Sequence, residues 1–273
     1  MILPYSLAAI DMDATLLGPD HRVGAANRAA LDRLRSTGIA VVLASGRRHE
    51  NLMRFHAELG IEGPAISGNG ALVRCSRTGD TWHERLLDPD SALALLEDGV
   101  ARGMTQVVEH ADGGSYVAGV TRHSDILAHR TGNPITAVGD LPSRGGSDIR
   151  KVIWIHDPEE IDGLAEPVSR RWRSTFSTIV TDPEYLEFMA IGVDKAPALE
   201  AVALRLGIAR EHVLAFGDGA NDAGMLRWAG LGFAMAHGRP EALAAADHVA
   251  PPGDPADAFA RAVDLLFELH SHR

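Results

Sequence analysis

The chain has 273 residues, 45% of them apolar, which is long enough for two packed domains. Acidic residues outnumber basic ones by 37 to 26, a net charge of −11, and no run of Lys or Arg could track a nucleic-acid backbone, so nucleic acid is excluded as a partner. A single cysteine, Cys75, excludes an intrachain disulfide, a thiolate zinc cluster and an iron–sulfur site, and fits a reducing cytoplasm.

Met1 to Ile10 is apolar but contains Pro4 and is cut off by Asp11, too short for a signal peptide or a membrane span, so no membrane partner is expected. Ser6 to Ile10 reads as a buried strand. Ala25 to Ser36 carries Ala30, Leu31 and Leu34 at helical spacing and is stopped by Gly38. Ile39 to Ala44 is a second buried strand, Arg48 to Leu59 a helix ended by Gly60, and Ala65-Ile66 a third strand. This βαβαβ series winds into a parallel sheet with ligand sites at the carboxyl ends of its strands.

The middle of the chain follows a different pattern. Asp88-Pro89 opens a helix to about Arg102, and Thr105 to Glu109 and Ser115 to Val120 form a strand pair around Asp112-Gly113-Gly114. The strand Lys151 to Ile155 precedes a helix with Asp157 as N-cap, and Thr175 to Val180 and Glu184 to Met189 are two more strands. Strand and helix then alternate again: a helix from Ala196 to Leu206, a strand from His212 to Phe216, a helix from near Asn221 and a final amphipathic helix from Ala256 to Leu269. The expected fold class is α/β: a Rossmann-like doubly wound parallel sheet core (1–82 and 189–273) with an inserted α+β domain (83–188). No heptad pattern or long apolar stripe is legible, so a monomer or weak homodimer is expected.

Two acidic clusters, Asp11-Met12-Asp13 and Gly217-Asp218-Gly219-Ala220-Asn221-Asp222, each follow a buried-strand pattern. On neighbouring parallel strands they would converge on one crevice, where their repulsion calls for a cation or a proton, the layout of a Mg²⁺ site. Asp11 is the candidate nucleophile, able to attack phosphorus and form an aspartyl-phosphate. Asp13 could protonate the leaving group and later activate water. Solvated loop acids give the same D-x-D string.

Ser45-Gly46-Arg47 follows the second strand and opens a helix, where unpaired N–H groups and a hydroxyl suit a phosphate; an N-cap serine with a glycine turn reads the same. Lys195 stands where the chain re-enters the core and would neutralise phosphoryl oxygens if it points inward rather than to solvent. Asp218, with Asp11, supplies the hard oxygen ligands Mg²⁺ prefers, Asp222 lies four positions on, and Asn221 could cap the helix or bond a ligand oxygen.

The order and strand-end placement of these segments resemble the haloacid-dehalogenase-like (HAD) superfamily, in particular its Cof-type phosphatases with a C2-type inserted cap. Asp11 to Leu17, Ala44-Ser45-Gly46-Arg47, Lys195 and Gly217 to Met225 stand for the family's four motifs, and Ile66 to Ala71 resembles the Asn-Gly-Ala turn before the cap. The resemblance implies Asp11 as nucleophile and metal ligand, and Asp13 as acid/base and a ligand through its backbone carbonyl. It implies Asp218 as the remaining protein ligand, Asp222 as support behind the metal, and Ser45, Gly46, Lys195 and Asn221 on the phosphoryl group. Three departures stand out: Ala14 for the usual Gly, Asp194-Lys195-Ala196 for Ser-Lys-Gly, and His237 where Asn is expected.

The expectation is therefore a Mg²⁺-dependent phosphatase of small phosphorylated metabolites, sugar phosphates foremost. The alternatives are a hexose phosphomutase and a non-catalytic phosphate-binding regulator.

Overall fold

The computed structural model describes residues 3–271. The chain divides between His83 and Glu84, and again between Val193 and Asp194, into two compact units. The outer segments form the first unit. It begins β1 (Leu7–Ile10), α1 (Ala25–Ser36), β2 (Ala40–Leu43), α2 (His49–Glu58), β3 (Pro64–Ser67), β4 (Leu72–Cys75) and β5 (Thr81–Glu84), the last running across the division.

The second unit holds α3 (Pro89–Ala101), β6 (Thr105–His110), β7 (Ser115–Val117), α4 (Arg122–Thr131), β8 (Thr136–Ala137), β9 (Ile149–Ile155), α5 (Pro158–Trp172), β10 (Phe176–Asp182) and β11 (Tyr185–Ala190). The first unit then resumes with α6 (Lys195–Leu206), β12 (Val213–Gly217), α7 (Ala223–Trp228), β13 (Leu231–Ala234), α8 (Pro240–Ala245), β14 (His248–Val249) and α9 (Ala258–His270).

The first unit is built on a parallel sheet ordered β14-β13-β12-β1-β2. Every residue of β1 is buried, as its unbroken apolar run requires of a strand covered on both faces. Its side chains alternate between the two covering layers. Ala8 and Ile10 join Leu31 and Leu34 of α1 and Val263 and Leu266 of α9 on one side. Leu7 and Ala9 join Leu199 and Val202 of α6 and Met225 of α7 on the other. Phe216, the last apolar residue of β12, stacks on Phe233 with centroids 5.2 Å apart and meets Phe259 edge-on, which anchors the strand end that leads into Asp218.

The third strand departs from the expected parallel series. β3 touches the main sheet through a single parallel bridge, Ala44 to Ile66, and otherwise pairs antiparallel with β4 in a small sheet of order β3-β4-β5. The reason is the turn Gly68-Asn69-Gly70, where all three residues have positive φ and the chain reverses onto itself. β4 and β5 were not foreseen from the sequence, being four-residue strands around a short turn.

The second unit has a sheet ordered β10-β11-β9-β6-β7-β8, antiparallel except for β7 with β8. α3 and α5 pack Leu95, Leu96, Ile161 and Val168 on one face, against Val152, Trp154 and Phe188. On the other face Leu127 of α4, a helix the sequence reading did not identify, packs on Val107, Ile153 and Tyr185. The expected core boundary at 188/189 falls inside β11, where Met189 still pairs with Lys151 and Ser177. Asp157 stands at the N-cap of α5, but its side chain makes no capping hydrogen bond and instead lies 3.3 Å from His123.

The turn after β1 closes through Leu17 N–H donating to the Met12 carbonyl at 2.8 Å, and it forces Ala14 to φ 57°. A methyl group there is strained by the carbonyl that follows it. Ala14→Gly is therefore expected to stabilise the fold by about 1 kcal/mol, raising the melting temperature in calorimetry by about 2–4 °C. An unchanged or lower melting temperature would show that the turn carries no such strain.

Candidate active site

Three adjacent parallel strands end at one edge of the sheet. Ile10 pairs with both Leu43 and Phe216, so the residues that follow β1, β2 and β12 leave the sheet side by side. Asp11 is the first residue beyond β1, its N–H still donating to the Phe216 carbonyl at 2.9 Å. Asp218 is the first beyond β12, and Ser45 follows Ala44, whose N–H donates to the Ile10 carbonyl. The two acidic clusters, 207 positions apart in sequence, thus meet because their strands are neighbours.

Lys195, the first residue of α6, is fully buried. Its Nζ donates to Asp11 Oδ1 at 2.5 Å and to Asp222 Oδ1 at 2.6 Å. Burial alone would strip its proton, but the two carboxylates more than reverse that and hold it as an ammonium. Asp222 is equally buried, and its other oxygen accepts the backbone N–H groups of Asp218 and Gly219 at 3.0 and 2.8 Å. Gly217 has to be glycine here, since a Cβ would lie 2.5 Å from that of Asp222.

Asp11, Asp218 and Asp222 each offer an oxygen within 4.8 Å of the others. Burial and the charge of Asp222 push the Asp11 carboxyl well above its usual range, against the pull of Lys195. Burial, then Asp222, raises Asp218 to about 6, while a hydrogen bond from Thr15 Oγ1 at 3.1 Å opposes the rise. Three carboxylates with one ammonium leave two uncompensated negative charges in a small space. That charge and the all-oxygen donor set fit a hard divalent cation.

Asp13 has the opposite environment. Arg47 grips it with Nε to Oδ2 at 2.8 Å and Nη2 to Oδ1 at 2.5 Å, and His21 lies 3.5 Å away. Burial pushes the Asp13 carboxyl up, but the Arg47 hydrogen bonds and charge outweigh it and hold the group below the usual carboxylate range. The Arg47 guanidinium in turn sits 5.1 Å over the Phe55 ring.

Of the expected phosphate contacts, Ser45 is buried and its Oγ accepts the Arg47 N–H at 3.1 Å, an N-cap-like bond. Gly46 faces the side chain of Asn69, and a Cβ there would lie 2.7 Å from Asn69 Oδ1. Asn221 donates through Nδ2 to the same oxygen at 2.9 Å. The structure therefore brings Asp11, Asp218, Asp222 and Lys195 into one cluster and Gly46 and Asn221 together about Asn69, while Asp13 is set apart by Arg47.

Sequence reasoning assigned no role to Arg47, Thr15 or Asn69, although all three stand inside motifs it quoted; their partners lie 34, 203 and 152 positions away and carry no local signal. His237, which stands where the resemblance expects Asn, meets the Ala14 carbonyl through Nε2 at 2.8 Å, so two of the departures touch each other.

The chain is similar to known proteins in sequence and in fold. The family model for haloacid dehalogenase-like hydrolases matches residues 8–263. The HMP-PP phosphatase of Serratia proteamaculans (strain 568) is 31% identical over 239 residues, covering 87% of this chain and 86% of that protein. The HMP-PP phosphatase of Klebsiella pneumoniae (strain 342) is 29% identical over 249 residues, covering 91% and 90%. Among solved structures, a haloacid dehalogenase-like hydrolase from Bacteroides thetaiotaomicron superposes with a TM-score of 0.85 at 24% identity, covering 96% of this chain and all of that one. With three motifs following core strands, a fourth at the start of α6, and a family match over nearly its whole length, the chain belongs to the haloacid dehalogenase-like hydrolases, in their Cof-type branch.

Proposed function

We propose that this protein is a Mg²⁺-dependent phosphatase of small phosphorylated metabolites, with sugar phosphates and HMP-PP the first substrates to test. The observation that carries the reading is the cluster of Asp11, Asp218 and Asp222 around a buried Lys195, a site with excess negative charge at the carboxyl edge of a parallel sheet. The curated relatives it matches bear the name phosphatase.

Asp11 Oδ attacks phosphorus and the bond from phosphorus to the leaving oxygen breaks, its electron pair staying on that oxygen. Asp13 is paired with Arg47 as a carboxylate, so for this step it has to leave that guanidinium and take up a proton, which it then donates to convert this oxygen to a hydroxyl, while the phosphoryl group remains on Asp11. Asp13, now a base, takes a proton from water as the water oxygen attacks phosphorus, and the electron pair of the bond to phosphorus returns to the Asp11 carboxylate. Mg²⁺, held by the carboxylates of Asp11 and Asp218 and the backbone carbonyl of Asp13, would offset the charge of the phosphate and polarise it. Asp222 holds the Asp218-Gly219 turn and Lys195 in place. Ser45, Gly46, Lys195 and Asn221 orient the phosphoryl oxygens, with Lys195 shared between phosphate and carboxylates.

The direct test is release of inorganic phosphate from a panel of sugar phosphates and HMP-PP, with Mg²⁺ and with EDTA. Release that needs the metal and falls at least about 10³-fold in Asp11→Asn supports the reading. Isomer interconversion of sugar phosphates without release would point to a mutase, and binding without turnover to a regulator.

Two further outcomes follow from the charge balance. Lys195→Met leaves Asp11 and Asp222 buried beside each other without a cation, so thermal or denaturant unfolding should show a loss of about 3–5 kcal/mol in the metal-free protein. Added Mg²⁺ should recover part of it; unchanged stability would mean that the acids are not charged together. The raised carboxyl of Asp218 also sets a pH dependence. A carboxyl must lose its proton to bind metal, so Mg²⁺ affinity by titration calorimetry should fall by at least about tenfold per pH unit below 6, where Asp218 protonates, and the raised carboxyl of Asp11 adds to the fall. Affinity independent of pH between 5 and 7 would remove Asp218 as a ligand.

A further inference from the structure

Asn69 stands outside every role assigned above, yet three parts of the site meet on it. Its backbone lies at φ 57°, the left-handed region that asparagine enters more readily than other non-glycine residues, and the residue is 6% exposed. Its N–H donates to the Ser45 carbonyl at 3.0 Å. Its side-chain Oδ1 accepts Asn221 Nδ2 at 2.9 Å and lies close enough to Gly46 that no side chain fits there. The next residue, Gly70, is packed so tightly on the Asp194 carbonyl, just before Lys195, that a Cβ would overlap it.

An amide side chain can face a neighbour with either its oxygen or its nitrogen. In the structure Asn69 Oδ1 accepts and Asn221 Nδ2 donates, so with this pairing the Asn221 amide is held with its NH₂ toward Asn69. One amide hydrogen of Asn221 is used in this bond and the second remains to be aimed at a ligand oxygen. The same Asn69 side chain bounds Gly46, whose backbone stands at the start of the loop leading into α2.

We propose that Asn69 is a positioning residue for the phosphoryl group, acting through Asn221 and Gly46; this rests on the phosphatase reading. It orients the Asn221 amide and holds the Ser45-Gly46 loop, so that these donors stand in place before the ligand arrives rather than being ordered by it.

The test compares Asn69→Gly, Asn221→Ala and the double variant with the wild-type protein, measuring binding of orthovanadate in the presence of Mg²⁺ by titration calorimetry alongside KM and kcat for phosphate release. Glycine adopts φ 57° without strain, so Asn69→Gly is expected to keep its melting temperature within a few degrees. It should weaken orthovanadate binding about tenfold. If Asn69 acts through Asn221, the double variant binds no worse than about twofold below Asn221→Ala alone. Unchanged binding in Asn69→Gly, or losses that add in the double variant, would overturn the proposal. Lower binding in Asn69→Gly that follows a melting temperature lowered by more than 10 °C would overturn it too, since the residue would then serve the fold. Asn69→Asp restores the acceptor but places a negative charge beside the anion, and should bind no better than Asn69→Gly; better binding also counts against the proposal. Wild-type protein that binds orthovanadate but releases no phosphate from any substrate would sink the phosphatase reading and leave the binding comparison standing.

Discussion

The structure depends on a buried ion cluster. Lys195 lies fully inside the protein with two carboxylates on its ammonium, and each of the three would be costly to bury alone. Together they tie the end of β1, the start of α6 and the turn after β12, segments that lie 184 and 27 positions from each other along the chain. The cluster therefore acts as a joint in the core as well as a candidate site. It also explains why the apolar layers around it are so complete: Ile10, Phe216 and Leu199 exclude water from the region behind the charges and keep their interactions strong.

That joint leaves a surplus of negative charge, and its size indicates what the site can bind. One ammonium among three acids leaves room for a divalent cation, and a cation would in turn let a phosphate dianion approach what is otherwise an acidic pocket. Asp13, two residues from Asp11, is kept out of this balance by its own guanidinium. Identical side chains are thus driven in opposite directions, Asp218 upward by burial and a neighbouring acid, Asp13 downward by Arg47. The two carboxyls therefore differ in charge state because of their neighbours, Asp13 held ionised by its guanidinium and Asp218 made easier to protonate by burial.

Much of this was legible in the sequence for identifiable reasons. The boundaries of α1 follow from its apolar spacing, and Asp88 caps α3 through the Ser91 N–H as its position before Pro89 suggested. The strands β1 and β12 could be found because a strand buried on both faces is apolar throughout. Elements with weaker local patterns were not found. α4 has only one of its apolar residues, Leu127, well buried, and the hairpin-like strands β4 and β5 are too short for alternation to declare itself. The third strand keeps its expected parallel contact with the main sheet at Ala44 and Ile66, but its longer antiparallel pairing with β4 was not legible, because that pairing is a property of the turn that follows it.

Residue order alone therefore determined which chemical groups this protein owns and which strand end or helix start carries each of them, because burial and turn chemistry are written locally. Only the tertiary structure decided their partners: Lys195 between Asp11 and Asp222, Arg47 on Asp13, Thr15 on Asp218 and Asn69 on Asn221. Each of these pairs spans at least 27 positions, and no local pattern encodes a contact made by two strands or loops that become neighbours when the sheet forms.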